Sequence, residues 1–589
     1  MYEPCDKMSL NSTVSRRAFL NRVTAAGGAL AGAALLPAVE SHAKTYEKVA
    51  PSVRGVVASD SITVVETTSG KVRGFRHNGI YIYKGVPYGA STSGQNRFMP
   101  PQLPEPWTGV RNALQYGRVC PTHDQNKFEY DGKNLAPAAE DAFLLHRGEA
   151  IQVPGEDCLQ LNVWTPEINA SHRRPVMVYM HGGGFSGGCG HDLLSYEGES
   201  LARNHDVVVV NHNHRLNVFG YLNLAGIGGE RYASSANVGL LDLIAVLQWV
   251  RENAVRFGGD PGNVTIFGQS GGGGKVISLM ALPAAKGLFH RAIVQSGPYL
   301  KAQSLEYSHG VASNLLSELG LSRARLGELH SIPVDRLEGA AAEAIRKMSP
   351  RATSPLLRTF GNAGWGPTVD GHILPNHPFD PGAPPISADV PLLTGTNLNE
   401  FVSGLDNPTA HSMTGDQMRQ LLKNSYGDSA DAILEAYRKD YPKASPFDLY
   451  ATIAASCMRI PSFEQAARKA ALHAAPAYAY IYSWRTPVLD DRVGTFHACE
   501  ISYAFDNGEL CDHYSAGSAS GLRLSRQMGR AWTNFARTGD PNHDDLPHWP
   551  TYSATERSVM YLDSPCHVRR DPEGPGLKLI AAAYRTLTV

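Results

Sequence analysis

The sequence predicts an α/β protein: a large central sheet, mixed but mostly parallel, flanked by helices. Three observations predict it. Strand-like and helix-like runs alternate along most of the chain. Asp206 to Asn211 contains four consecutive valines, the pattern of a strand buried on both faces as in a parallel sheet. A serine also sits on a glycine-flanked strand-to-helix turn, Phe267-Gly268-Gln269-Ser270-Gly271-Gly272.

The N-terminus reads as a targeting segment. Ser15-Arg16-Arg17-Ala18-Phe19-Leu20 is a twin-arginine pattern, followed by a Gly/Ala-rich apolar run from Ala25 to Val39 and a small-residue cleavage site at Ser41-His42-Ala43. Residues 1–43 are therefore expected to be a twin-arginine (Tat) signal peptide read by the Tat translocation machinery. Residues 44–589 are expected to form one domain, periplasmic or secreted. The apolar run is too short and too glycine-rich for a stable span, and no later run reads as long enough to cross a bilayer, so no stable membrane insertion is expected. No cysteine at the cleavage point offers a lipid anchor.

Along the chain, Ile62 to Phe75 alternates around a Ser69-Gly70 turn and predicts a small antiparallel sheet. Asn96 to Val110 is a proline-rich surface segment. Leu161 to Trp164, Val176 to Tyr179 and Asp206 to Asn211 read as strands. Asn237 to Asn253 places Leu240, Leu241, Ile244, Leu247 and Val250 at helical spacing. Strands follow at Asn263 to Phe267 and Ala292 to Gln295. Tyr299 to Asp380 reads as a mostly helical insertion, expected to roof the C-terminal edge of the sheet, where ligands bind in such folds. Strands resume at Val390 to Leu393, Tyr478 to Tyr482 and Ser558 to Tyr561.

Composition bounds the function. With 589 residues, 42% hydrophobic, 19% charged and net charge −1, the chain is ample for a large core. The near-zero charge gives no argument for nucleic acid or an anionic membrane as partner. Of the eight cysteines, Cys5 leaves with the signal. At least one of the remaining seven is then unpaired if all pairs are intramolecular, and none of the spacings is a CxxC or zinc-finger pattern.

The chemistry begins at Ser270. A serine on a sharp strand-to-helix turn takes a strained backbone, so the residues two before and two after it must be small. Gly268 and Gly272 meet that need, and an apolar helix-like run, Val276 to Leu282, follows. A decoy exists in Gly184-Phe185-Ser186-Gly187-Gly188, but glycines rather than a helix follow Ser186. A serine nucleophile needs oxyanion donors, a base and an acid that orients the base. His181-Gly182-Gly183-Gly184-Phe185 follows a strand, and its glycines let backbone N–H groups face a ligand oxygen unobstructed. His497 lies in a loop beyond the Tyr478 strand, but position alone does not select it among 22 histidines. Glu400, after the Val390 strand, fits the acid topologically, but from the residues alone a solvated loop glutamate is the default reading.

The set resembles the type-B carboxylesterase family of α/β-hydrolases, which includes bacterial para-nitrobenzyl esterase-like enzymes and the cholinesterases. The pieces that carry the resemblance run from about Thr63 to the C-terminus. They are Lys84-Gly85-Val86-Pro87-Tyr88, Glu156-Asp157-Cys158-Leu159, the His181 loop, Asn213-His214-Arg215-Leu216, Asn237-Val238-Gly239-Leu240, Phe257-Gly258-Gly259-Asp260-Pro261 and the Ser270 turn. The resemblance implies a triad of Ser270, Glu400 and His497, an oxyanion hole from the N–H groups of Gly183, Gly184 and Gly271, and a disulfide joining Cys120 to Cys158. It implies cleavage of a small-molecule carboxylic ester through an acyl-enzyme, with no cofactor and no metal. An amide or carbamate hydrolase would use the same residues. A recognition module that has lost catalysis is the remaining alternative, and the retained triad argues against it.

The chain departs from the family pattern at several places. Gln269 and Gly271 stand where Glu and Ala are usual, and Asn399 and Phe401 replace the usual Asp and Gly around the acid. His214 replaces a tyrosine. His212 and His214 alternate on one strand face like a metal pair, but the matching family segment binds none. No tryptophan lies between Cys120 and Cys158, where Phe128, Tyr130 and Phe143 are the aromatic residues. The expected substrate is therefore an uncharged ester rather than a choline ester.

Overall fold

The computed structural model describes residues 55–122, 139–348 and 364–587. Its framework is a sheet of twelve strands. In spatial order they are Val56–Val57, Phe75–His77, Ile80–Pro87, Gln160–Thr165, Val208–His212, Arg174–Met180, Gly259–Gln269, Arg291–Gln295, Leu392–Asn397, Ala477–Tyr482, Ser558–Leu562 and His567–Arg570. The seven from Val208–His212 to Ser558–Leu562 are mutually parallel. Antiparallel strands extend both edges. The parallel core follows from composition: Val208–His212, Arg174–Met180 and Leu392–Asn397 are buried at every residue, as helices on both faces require.

The alternating N-terminal run forms the expected hairpin, Val64–Thr67 against Gly70–Arg73, with Val110–Asn112 as a third strand. The helix expected from Asn237 occupies Val238–Asn253. By length and composition, the stretch Glu230–Phe257 is apolar enough to cross a membrane, contrary to the sequence reading that found no such run. Its window is 72% buried within the fold, where the apolar residues face protein. Asp242 on this helix pairs with Arg215, both fully buried, at 2.7 Å, and fixes the segment leaving the Val208–His212 strand.

The expected insertion begins with helices Leu305–Leu319 and Val334–Met348, which pack on each other. The segment 349–363 of that insertion, expected to help roof the C-terminal edge of the sheet, lies outside the described residues. Four further helices, Gly415–Tyr426, Ala430–Asp440, Pro446–Ala454 and Ser456–Ala470, separate the strand before Glu400 from the next and were not read from the sequence. In the last of these, Arg459 is wholly buried against Glu573 at 2.6 Å. Its guanidinium also donates to the carbonyls of Leu398 at 2.8 Å and Asn397 at 3.2 Å, and so holds the chain just before Glu400.

Candidate active site

Ser270 caps the strand Gly259–Gln269 and starts the helix Gly271–Ala281, with φ 57° and ψ −126°. This is a backbone conformation that a residue with a side chain adopts only under constraint. The constraint is the crowding the sequence implied. A Cβ at Gly272 would lie 1.9 Å from the Met180 carbonyl oxygen, and one at Gly268 would lie 2.6 Å from the same atom. Ser186, by contrast, sits in a turn with no helix after it.

Glu400 and His497 lie in contact. His497 Nδ1 lies 2.5 Å from Glu400 Oε2. Backbone bonds brace the pair: Glu400 N donates to the Thr495 carbonyl at 3.1 Å, and His497 N to the Glu400 carbonyl at 3.0 Å. The other carboxylate oxygen, Oε1, accepts from Ser296 Oγ at 2.7 Å and from the Asn397 N–H at 2.8 Å. The two departures around the acid have structural uses. Asn399 Oδ1 accepts from Thr495 N at 3.0 Å, linking the acid and base loops, and the Phe401 ring lies 4.1 Å from the His497 ring, centre to centre.

The outer nitrogen of the imidazole, Nε2, lies 3.3 Å from Gln269 Nε2. Among the described residues this nitrogen pairs with Gln269 rather than with Ser270, the next residue along. With Nδ1–H directed at Glu400, the amide of Gln269 donates to the lone pair of Nε2.

Gly183 and Gly184 turn the loop at φ +84° and +62°. The N–H groups of Gly183, Gly184 and Gly271 have no carbonyl acceptor among the described residues. Gly184 lies so close to the start of the helix that a Cβ at Gly271 would be 2.2 Å from its carbonyl oxygen and 2.4 Å from its nitrogen. The glycine that departs from the family pattern is thus what lets the two N–H-bearing segments approach.

Sequence reasoning missed Ser296, Asn397, Glu500 and Lys275. Glu500 is buried and accepts from Asn397 Nδ2 at 2.7 Å. Burial first, then the Glu400 charge, pushes its carboxyl up to about 7. No local motif marks any of the four, since each acquires its role through residues distant in sequence.

The expected bridge between Cys120 and Cys158 is not formed in this structure: both are buried thiols. They are close enough to hydrogen-bond, and that contact, with burial, pushes the Cys158 thiol up. Phe128 and Tyr130 lie outside the described residues. Phe143 is half-exposed and stacks on His513 at 4.4 Å. A cavity of about 1040 Å³, lined by Arg203, Asp506, Arg526 and Arg530 among others, contains none of the expected site residues. It is a charged surface groove, and the chemistry lies elsewhere.

A serine on a constrained strand-to-helix turn, with a carboxylate–imidazole pair on the following loops of a parallel sheet, defines a serine hydrolase with the α/β-hydrolase fold. Residues 61–578 match the carboxylesterase family, and the chain belongs to it. It is 33% identical over 514 residues to the para-nitrobenzyl esterase of Bacillus subtilis, covering 87% of this chain and 96% of that one. It is 31% identical over 526 residues to the phenmedipham hydrolase of Pseudarthrobacter oxydans, covering 87% and 97%. Among solved structures, an esterase of the anaerobe Clostridium hathewayi, described as able to hydrolyse aliphatic aromatic polyesters, superposes with a TM-score of 0.75 at 34% identity. That match covers 90% of this chain and all of the other. The protein is a carboxylic ester hydrolase.

Proposed function

We propose that Ser270, His497 and Glu400 carry out the hydrolysis. Ser270 Oγ attacks the ester carbonyl while His497 Nε2 takes its proton. Glu400 holds the imidazole and stabilises its cation. The N–H groups of Gly183, Gly184 and Gly271 receive the developing oxyanion. The carbonyl re-forms, the alcohol leaves with the proton from His497, and an acyl-enzyme remains. Water, deprotonated by His497, repeats the sequence and frees Ser270. No cofactor enters any step. The observation that carries this reading is the 2.5 Å contact of Glu400 with His497, whose other nitrogen faces the residue beside Ser270. The Gln269 amide must give way when Ser270 engages the base.

The substrate proposed is an uncharged ester, because Gln269 adds no negative charge beside the nucleophile. Residues 1–43 are proposed to be a Tat signal peptide that sends a single-domain chain, 44–589, to the periplasm or outside the cell. Oxidation there would join the adjacent thiols of Cys120 and Cys158. The reaction is tested on the purified mature chain with short and long p-nitrophenyl esters, an anilide and a carbamate. Ester turnover should dominate and should disappear in Ser270→Ala; a Ser270→Ala variant that still turns over esters contradicts the assignment.

A further inference from the structure

Helix Gly271–Ala281 carries a buried lysine, Lys275. Lys275 is fully buried, and no carboxylate lies within ion-pair distance of it among the described residues. It is the fifth residue of the eleven in that helix. Its ammonium Nζ donates to the backbone carbonyl of His181 at 2.8 Å. The same Nζ lies 5.8 Å from the centre of the Phe185 ring, within cation–π range. His181 and Phe185 are the two ends of the glycine loop. One side chain, five residues beyond Ser270, therefore touches both ends of the segment holding Gly183 and Gly184.

Three buried imidazoles surround it: His181 from the end of strand Arg174–Met180, and His212 and His214 from the end of strand Val208–His212. The rings of His181 and His214 lie 4.8 Å apart, and those of His212 and His214 5.3 Å apart. Both ring nitrogens of His214, Nε2 of His181 and Nδ1 of His212 have no hydrogen-bond partner among the described residues. Burial, and after it the charge of Lys275, holds all three imidazoles below their usual range, His212 down to about 3. They are neutral dipoles around a lone cation, not a second set of charges. A metal ion at the His212–His214 pair would face the Lys275 ammonium. Burial in turn pushes the Lys275 amine down to about 7. Placing an unpaired lysine here costs stability, so its position calls for a use.

We propose that Lys275 is a positioning residue for ester hydrolysis: it clamps both ends of the His181–Phe185 loop to the helix that begins at Ser270, holds the Gly183 and Gly184 N–H groups where the oxyanion forms, and adds positive charge behind them. This rests on the reading that Gly183, Gly184 and Gly271 bind the oxyanion. The clamp works on the transition state and not on the ground-state ester, so its loss appears in kcat. Neutral Lys275 still donates to the His181 carbonyl but no longer supplies charge. Turnover should therefore step down to a lower, nonzero plateau as pH rises through about 7.

The test compares the unaltered protein with Lys275→Met, Lys275→Gln and Gly271→Ala. The readouts are kcat and KM across pH, melting temperature, and affinity for an aryl trifluoromethyl ketone, which forms an oxyanionic adduct with the serine. Lys275→Met should lower kcat on the order of 10–100-fold, at or below the loss expected from removing one oxyanion donor outright. It should change KM less than about threefold and weaken the ketone in step with kcat. It should also abolish the step near pH 7 and melt at or above the temperature of the unaltered protein, whereas a lysine kept for stability alone would lower it. Lys275→Gln keeps a donor without the charge, so it should lose the step and fall between the two in kcat. If either variant fails to fold, the other and the step in the unaltered protein decide. Unchanged kcat and ketone affinity in the Lys275 variants, or a step that survives in them, overturns the proposal. If Gly271→Ala weakens the ketone while the Lys275 variants do not, the oxyanion reading stands and the clamp alone fails. If none of the three weakens it, the oxyanion reading itself is wrong.

Discussion

The two sides of the site are built by opposite means. On the acid–base side almost every polar atom has a partner. Glu400 accepts from His497, Ser296 and Asn397, Arg459 holds the carbonyls before it, and Asn399 ties its loop to that of His497. On the oxyanion side the defining feature is absence. Gly183 and Gly184 adopt positive φ, Gly271 leaves room for the Gly184 backbone, and the N–H groups have no acceptor among the described residues. The first side fixes a proton path by hydrogen bonding. The second keeps donors free by withholding side chains, so that the transition state is the first good acceptor they meet.

The comparison makes the acid–base side intolerant of any loss of a partner. His497→Gln should lower kcat about 10⁴-fold or more, as removal of a triad base does, with the melting temperature little changed. A variant that keeps near-normal turnover moves the base to another residue. The oxyanion side should instead be intolerant of added atoms. Gly271→Ala places a methyl where the Gly184 backbone lies and should lower kcat on the order of 10–1000-fold with a small change in KM. The loss should occur even though alanine is usual in the family this chain resembles, because a Cβ at Gly271 would lie 2.2 Å from the Gly184 carbonyl oxygen. Unaltered kcat would show that Gly184 takes no part.

Gln269 lies at the junction of the two sides. Gln269→Glu would set a carboxylate beside the imidazole, favour the imidazolium and oppose proton uptake from Ser270. The acid limb of kcat/KM should then move to higher pH, on the order of one unit. An unmoved limb would mean that the 3.3 Å contact does not persist in the working enzyme.

The smallest effect concerns Glu500. Its folded pKa of about 7 exceeds its unfolded value of about 4.3, so its stabilising contribution is complete below the lower value and is lost as pH rises through the higher. Glu500→Gln removes that loss. Its melting temperature relative to the unaltered protein should rise by a few degrees between pH 5 and pH 8.5. A constant difference would show that the carboxyl titrates normally.

The parts of this site that were legible in the sequence are those encoded locally. The Ser270 turn and the His181 loop need particular residues at fixed spacing, and the parallel strands need runs of valine and isoleucine. The Glu400–His497 pair was reachable only through family resemblance, because contacts between residues 97 positions apart leave no local periodicity. Arg459 with Glu573, and Lys275 with His181, were invisible for the same reason. A buried charge reads in sequence as an ordinary surface residue until its partner is known. The helices between Gly415 and Ala470 were missed because that stretch contains no motif to prompt a reading, although its capping signals were present, Thr414 with Gln417 among them.

The central claim is that Ser270, alone among the serines of the two Gly-x-Ser-x-Gly turns, is activated by His497. It is tested most directly by reacting the mature protein with a fluorophosphonate and locating the adduct by peptide mass spectrometry in the unaltered chain, Ser270→Ala and Ser186→Ala. The account predicts one adduct, on Ser270, present in the unaltered protein and in Ser186→Ala and absent from Ser270→Ala. An adduct on any other residue of the unaltered protein, or labelling that survives in Ser270→Ala, would contradict it.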